Sequence, residues 1–130
     1  MASLQRIDHI HIYVSNREQA VDWYQQVLDF HVIEALRFWS KDGGPLTIKH
    51  DDIHLALFES EANKRTTVAF GVSAEDFLAW QTQLNQHNVV FKEYDHDLSW
   101  SIYFSDPFAN PFEITTYEYD EVKALKAKLS

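Results

Sequence analysis

Cysteine is absent from the 130 residues, which excludes disulfide bonds, thiolate nucleophiles and zinc–thiolate sites. Any bound metal must therefore be held by His, Asp or Glu. Long apolar runs are also missing, since none approaches the roughly 20 residues needed to span a bilayer. The stretch MASLQRIDHI lacks the basic-then-apolar order of a secretory signal. We therefore expect a cytoplasmic protein with no membrane partner.

Positive charge is scarce as well. The chain has 11 Lys and Arg against 20 Asp and Glu, for a formal net charge of -9. Such an acidic chain repels phosphate backbones, so we expect no nucleic-acid partner. Apolar residues are plentiful: 45% of the chain is hydrophobic and 15% is aromatic. At this length, that content predicts one packed domain over residues 1–130.

The first half of the chain has the pattern of a strand, a helix and three further strands. The run RIDHIHIYV alternates like a half-buried strand, with His9 and His11 on one face. Ser15 has the position of an N-cap for a helix near residues 16–29. Three strand-like runs follow, with turn signals between them: HVIEALRFW, PLTIKH and DIHLALFE.

The same order repeats in the second half. RTTVAFGV predicts a strand, and Ser73 predicts the N-cap of a helix near residues 74–87. Three more strand-like runs follow, namely VVFKEYDHD, SWSIYFSDP and NPFEITTYE. The final stretch predicts a C-terminal helix at about 119–129, whose lysines suit a helix end.

The repeated order indicates an internal duplication with an offset of about 58 residues. It divides the chain into module 1 at about 5–60 and module 2 at about 64–118. The alignment sets His9 opposite Thr67 and His54 opposite Glu113.

Several segments resemble the vicinal oxygen chelate superfamily, which includes glyoxalases, extradiol dioxygenases and bleomycin-resistance proteins. IDHIHIYVSNREQAVDWYQQVLDF resembles its first βα unit, while VAFGVSAEDFLAW and IYFSDPFANPFEI resemble its second module. The resemblance covers nearly the whole chain. It implies an α+β fold in which two βαβββ modules form a curved, cup-shaped mixed sheet. It also implies a small-molecule substrate and a homodimer, since family members commonly complete their cups against a partner.

In that family a divalent metal is usually bound by His on the first strand, His on the fifth and Glu on the eighth. This chain keeps His9 and Glu113 at matching places but has Thr67 at the remaining one. The fourth strand is also a ligand position in glyoxalase I enzymes of the family, and here it carries His54. The resemblance thus implies a site for Fe, Mn, Ni or Zn made by His9, His54 and Glu113.

The run from His96 to Glu113 is similar to the signature of extradiol ring-cleaving dioxygenases. In that signature a His and a Tyr, here His96 and Tyr103, help to bind substrate and dioxygen, which makes them the candidate catalytic residues. The match is incomplete, because Ala109 and Tyr94 depart from the pattern.

Four residues are candidates for substrate binding: His11, Phe38, Thr67 and Trp100. The aromatic members suit an apolar pocket for a ring-bearing ligand. The chain lacks the basic and polar pattern of fosfomycin-resistance thiol transferases, and His11 stands where they carry a hydroxyl residue. Fosfomycin chemistry is therefore disfavoured.

Two functions stay open. The first is a metal enzyme acting on a small apolar or aromatic substrate with vicinal oxygens, as a dioxygenase, lyase or isomerase. The second is a metal-free binding protein of the bleomycin-resistance kind. The set of His9, His54 and Glu113 favours the first, whereas Thr67 and the acidic charge favour the second.

Overall fold

The computed structural model describes residues 1, 3–62 and 64–129. The chain divides into two compact units, Met1–Arg65 and Thr66–Ser130. Each unit contains a four-stranded mixed sheet built in the order strand, helix, strand, strand, strand. The predicted α+β fold with two βαβββ modules is confirmed. In the described part of the chain, no helix is both long enough and apolar enough to cross a membrane.

The first module has strand order β1-β4-β3-β2. Its elements are β1 (Ile10–Val14), α1 (Arg17–Leu28), β2 (His31–Val32), β3 (Leu46–His50) and β4 (Ile53–Glu59). Strand β1 runs parallel to β4 and β3 runs antiparallel to it. Alternation sends Ile12, Val14, Leu55 and Leu57 into the core, where each is at most 3% exposed. The other face of β1 carries His11 and Tyr13.

Between β2 and β3 the structure differs from the prediction. A strand was expected over HVIEALRFW, but only His31–Val32 pairs with β3, and Glu34–Asp42 is a 3-10 helix. Its side chains interact at the i, i+3 spacing that a helical turn brings together, since Arg37 forms an ion pair with Glu34. The helix ends at Gly43, whose φ of 79° is in the left-handed region that glycine favours.

The second module has strand order β5-β8-β7-β6. Its elements are β5 (Val68–Gly71), α2 (Ala74–Gln86), β6 (Lys92–Asp95), β7 (Trp100–Ser105), β8 (Pro111–Thr116) and α3 (Tyr119–Leu129). Helices α1 and α2 lie where the sequence predicts them. Helix α3 packs against α2, and Val122 on α3 is fully buried.

One of the two predicted helix caps is wrong by one residue. Asn16, rather than Ser15, caps α1, and its side chain accepts a hydrogen bond from the Gln19 amide at 3.0 Å. Both residue types are good caps, so local preference did not choose between them. The Ser73 cap is confirmed, since its hydroxyl accepts from the Asp76 amide at 3.2 Å.

The strand register corrects one pairing of the internal duplication. In the first module His11 lies opposite Ala56, and in the second Ala69 lies opposite Glu113. Because an offset of about 58 residues equates His11 with Ala69, the counterpart of Glu113 is Ala56, not His54.

Candidate functional site

One face of β7 and β8 gathers polar side chains in the second module. Tyr103 lies directly opposite Glu113 in the antiparallel ladder, and Ser101 lies two residues before Tyr103 on the same face. The alternate residues Ile102 and Ile114 are buried on the opposite face. We call this group, together with Tyr94 on β6 and His96 just beyond it, the tyrosine cluster; its members are Tyr94, His96, Ser101, Tyr103 and Glu113.

The tyrosine cluster is connected by short hydrogen bonds. The Tyr103 phenol oxygen lies 3.0 Å from Nε2 of His96. The Ser101 hydroxyl donates to Oε2 of Glu113 at 2.8 Å and lies 3.0 Å from Oγ1 of Thr115. The structure therefore brings together the two residues that the sequence marked as catalytic candidates, and it adds a serine that orients the neighbouring carboxylate.

The Tyr103 phenol has a perturbed proton affinity. Burial raises its pKa, contact with Ser101 opposes that rise, and the Glu113 carboxylate adds to it. Tyr103 also packs edge-on against the Tyr94 ring, with centroids 5.6 Å apart. A hydroxyl held this way, beside an imidazole and a carboxylate, can donate a hydrogen bond or a proton to a ligand oxygen.

In the first module two imidazoles face each other at the start of β1. Nε2 of His9 lies 3.1 Å from Nε2 of His11, and the rings are stacked with centroids 5.0 Å apart. Nδ1 of His9 lies 2.9 Å from Oδ2 of Asp8, and the Arg6 guanidinium lies 3.1 Å from Oδ1 of the same carboxylate. The hydrogen bond with His9 and, to a smaller extent, the charge of Arg6 hold the pKa of Asp8 below its ordinary value. We call His9 and His11 the histidine pair.

An aromatic strip continues from the histidine pair along β1 and β4. The His11 ring lies 4.7 Å from that of Phe58, which stacks on Tyr13 at 5.6 Å. The Lys64 ammonium lies 5.5 Å from the centroid of Tyr13. This face of the first module thus combines imidazole nitrogens with flat apolar rings, a combination suited to ring-bearing ligands.

The other predicted site residues lie as follows. His54 is half-buried on β4, and Thr67 is exposed directly before β5. Phe38 lies on the 3-10 helix and is 59% exposed. Trp100 stacks on Tyr119 and donates from Nε1 to its carbonyl, so its indole is engaged in holding α3. It also lies on the face of β7 opposite Tyr103. The roles of all four residues in binding stay predictions.

Glu113 and His9 are side chains of the types that bind divalent metals, although the structure does not group three such side chains among the residues that it describes. Glu113 has one oxygen oriented by Ser101, and His9 has one ring nitrogen oriented by Asp8. Metal ligands commonly have such outer partners, which leave the other donor atom for the ion. Over residues 1, 3–62 and 64–129, no three His, Asp or Glu side chains are grouped to hold one ion.

Sequence reasoning missed Ser101 of the tyrosine cluster and two residues that contact the histidine pair, Asp8 and Phe58. Ser101 could have been found, because strand alternation places it on the face of Tyr103. Phe58 could not, because its contact with His11 depends on the register between β1 and β4.

The sequence matches the Glyoxalase/Bleomycin resistance protein/Dioxygenase superfamily over residues 6–114. The chain belongs to this superfamily. The match begins just before the histidine pair and ends just after Glu113, so it includes all the residues of both clusters.

Several solved structures of differently named proteins have the same fold as this chain. A glyoxalase family protein from Bacillus anthracis aligns at 20% identity and a TM-score of 0.74, over 90% of this chain and 98% of its own. Lactoylglutathione lyase from Agrobacterium tumefaciens aligns at 18% identity and a TM-score of 0.72, over 90% of this chain and 97% of its own. The fosfomycin resistance protein FosX from Listeria monocytogenes, complexed with Mn(II) and sulfate, aligns at 16% identity and a TM-score of 0.69, over 95% of this chain and 99% of its own. At such identities the likeness concerns the fold.

Proposed function

We propose that this chain is a metal-dependent enzyme that acts on a small apolar or aromatic substrate with two adjacent oxygens. The observation that carries the proposal is the hydrogen bond of 3.0 Å between Tyr103 and His96, next to the Ser101–Glu113 pair. A phenol and a carboxylate on one face of β7 and β8, together with an imidazole from the turn before β7, provide the groups that general acid–base catalysis requires.

In this proposal Tyr103 and His96 are the catalytic residues. The phenol donates to a substrate oxygen, and His96 positions the phenol and exchanges its proton. Ser101 keeps Glu113 in one orientation through its hydrogen bond. His11, Phe38, Thr67 and Trp100 are proposed to contact the substrate.

Glu113 and His9 are proposed as ligands of a divalent ion, Fe, Mn, Ni or Zn, together with a second imidazole for which the sequence suggests His54. When bound, such an ion supplies Lewis-acid chemistry toward two substrate oxygens. The superfamily contains a fold relative solved with Mn(II), which supports the choice of ion.

The experiment is a turnover screen with matched variants. Protein loaded separately with Fe(II), Mn(II), Ni(II) or Zn(II) is offered the methylglyoxal–glutathione hemithioacetal and a series of catechols. Isomerisation is followed by absorbance and ring cleavage by dioxygen uptake. We expect turnover of one class, lost in Glu113→Gln and in Tyr103→Phe. Equal turnover by wild type and Tyr103→Phe would contradict the proposed roles.

A second candidate function is metal-free binding of a ring-bearing, cationic ligand. It is favoured by the aromatic strip of Tyr13 and Phe58, by the exposed rings of Phe38 and Trp39, and by the net charge of -9. Titration with bleomycin in the presence of EDTA, followed by tryptophan fluorescence, tests it. Saturable quenching without metal, and no turnover in the screen, would select this function over the first.

A further inference from the structure

The histidine pair has the geometry of a chelate. We propose that His9 and His11 bind one divalent transition-metal ion through their two Nε2 atoms. His11 is then the second imidazole ligand in place of His54, and this role replaces the substrate contact assigned to His11 above. The inference rests on the metal requirement in the proposed function and names the ligand that the sequence assigned differently. It concerns ion binding alone, so its test does not depend on turnover.

The separation of the two nitrogens matches that of neighbouring ligands. Nitrogens bound to one ion at about 2.0–2.1 Å, with about 90–110° between the bonds, lie about 2.9–3.4 Å apart. The observed separation between Nε2 of His9 and Nε2 of His11 is 3.1 Å. The two nitrogens are therefore already as far apart as two ligands of one ion.

The partner of the other ring nitrogen of His9 supports ligation. A carboxylate only accepts hydrogen bonds, so the contact between Asp8 and Nδ1 places the His9 proton on Nδ1. Nε2 of His9 then keeps its lone pair and lies 3.1 Å from Nε2 of His11. A carboxylate on the far nitrogen of an imidazole is a common outer partner of metal-bound histidine and raises its basicity. Arg6, in turn, forms an exposed ion pair with Asp8.

His11 is also fixed before any ion arrives. It lies two residues after His9, so strand alternation directs both side chains to the same face. Its ring packs against Phe58 at 4.7 Å, which limits its rotation. His54 has weaker support, because the register makes Ala56 the counterpart of Glu113 and so removes the symmetry argument for His54.

The rival explanation is a hydrogen bond between two neutral imidazoles. Nε2–H of His11 would then donate to Nε2 of His9, and the same distance of 3.1 Å would need no metal. The two explanations differ in what happens when an ion is added, because chelation requires both Nε2 atoms to be free of protons.

The test is calorimetric titration of untagged protein with Zn(II) and with Ni(II), using His11→Gln and His54→Gln as matched variants. We expect His11→Gln to weaken binding by more than the roughly 10–100-fold that loss of an outer partner costs, and His54→Gln to leave the Kd nearly unchanged. A larger loss in His54→Gln than in His11→Gln would overturn the inference. Unchanged melting temperatures show that both variants fold, and the exposed position of His11 makes this the expected result.

Histidine-ring ¹⁵N spectra give a second reading. On addition of one equivalent of Zn(II) we expect the Nε2 resonances of His9 and His11 to shift together while Nδ1 of His9 stays protonated. A shift of His9 and His54 without His11 would overturn the inference, as would the absence of any shift.

Failure of this inference is distinguishable from failure of the proposed function. If the ion binds through His11 but no substrate is turned over, the chelate stands and the enzyme assignment falls. If turnover and tight ion binding survive in His11→Gln, the enzyme assignment stands and the chelate falls.

Discussion

The phenol oxygen of Tyr103 lies 3.0 Å from Nε2 of His96, although the two residues belong to a strand and to the turn before it. The turn is shaped by Asp97, which has a φ of 69°, and by a hydrogen bond from the His96 amide to the Ser99 carbonyl at 2.9 Å. These features direct His96 back over β7. The resulting pair is the basis of the first prediction.

Tyr103→Phe should lower kcat by about 10²–10⁴, the usual size of an acid–base contribution, with little change in KM. The matched control is Tyr94→Phe, which removes a phenol from the neighbouring ring but not from the bond to His96. Steady-state kinetics on whichever substrate the screen identifies provide the measurement. Equal losses in both variants would indicate a packing effect instead of a catalytic role.

Asn16→Ala should destabilise the first module by about 1 kcal/mol, because the Gln19 amide loses its cap. Ser15→Ala is the control and should change stability little, since Ser15 lies outside the cap. Urea denaturation followed by circular dichroism measures both. The reverse order would mean that the helix begins one residue earlier, as the sequence alone suggested.

Tyr119 should make stability depend on pH at both extremes. Its hydroxyl donates to the Asp95 carboxylate at 2.7 Å, which lowers the pKa of Asp95 from 3.8 and raises the pKa of Tyr119 from 10.0 to about 12. The contribution of Asp95 is present above about pH 3.8 and disappears as the pH falls through its lowered folded value. The contribution of Tyr119 is present below pH 10 and disappears as the pH rises toward 12.

The measurement is the melting temperature of wild type and Tyr119→Phe from pH 3 to 11. We expect the variant to melt a few degrees lower at most near neutral pH, since Asp95 is exposed and Tyr119 is only partly buried, and the difference to shrink in acid and in alkali. Tyr117→Phe, at a side chain 79% exposed, should show no such dependence. A difference that is constant with pH would exclude the ionic hydrogen bond as its cause.

We also predict a homodimer. Each four-stranded sheet leaves edge strands, and edges of this kind are commonly covered by a partner. Light scattering coupled to gel filtration should give twice the monomer mass at micromolar concentration. A monomer mass under those conditions would contradict the prediction.

Periodicity predicted most of the fold, and tertiary pairing decided the rest. The alternation around His11 and the helical spacing in α1 and α2 are local patterns, so the order and type of those elements followed from the sequence. Residues 34–39 belong to a run predicted as strand, but they lie in the 3-10 helix Glu34–Asp42, in which Glu34 and Arg37 form an ion pair at the i, i+3 spacing.

The sequence predicted part of the candidate site. Resemblance marked His96 and Tyr103, and the structure places them in contact. The internal duplication was aligned with His54 opposite Glu113, whereas the strand pairing makes Ala56 the counterpart of Glu113. Register depends on which strands pair, which a single sequence does not reveal.

The most direct test of the account is the metal content of untagged protein, measured by inductively coupled plasma mass spectrometry beside the same measurement on Glu113→Ala. The account predicts about one Fe, Mn, Ni or Zn ion per chain in the wild type and a marked loss in the variant, because one carboxylate ligand is gone. Wild-type protein that contains no divalent ion, and that takes up none from added Mn(II), Ni(II) or Zn(II), would contradict it and select the metal-free binding function.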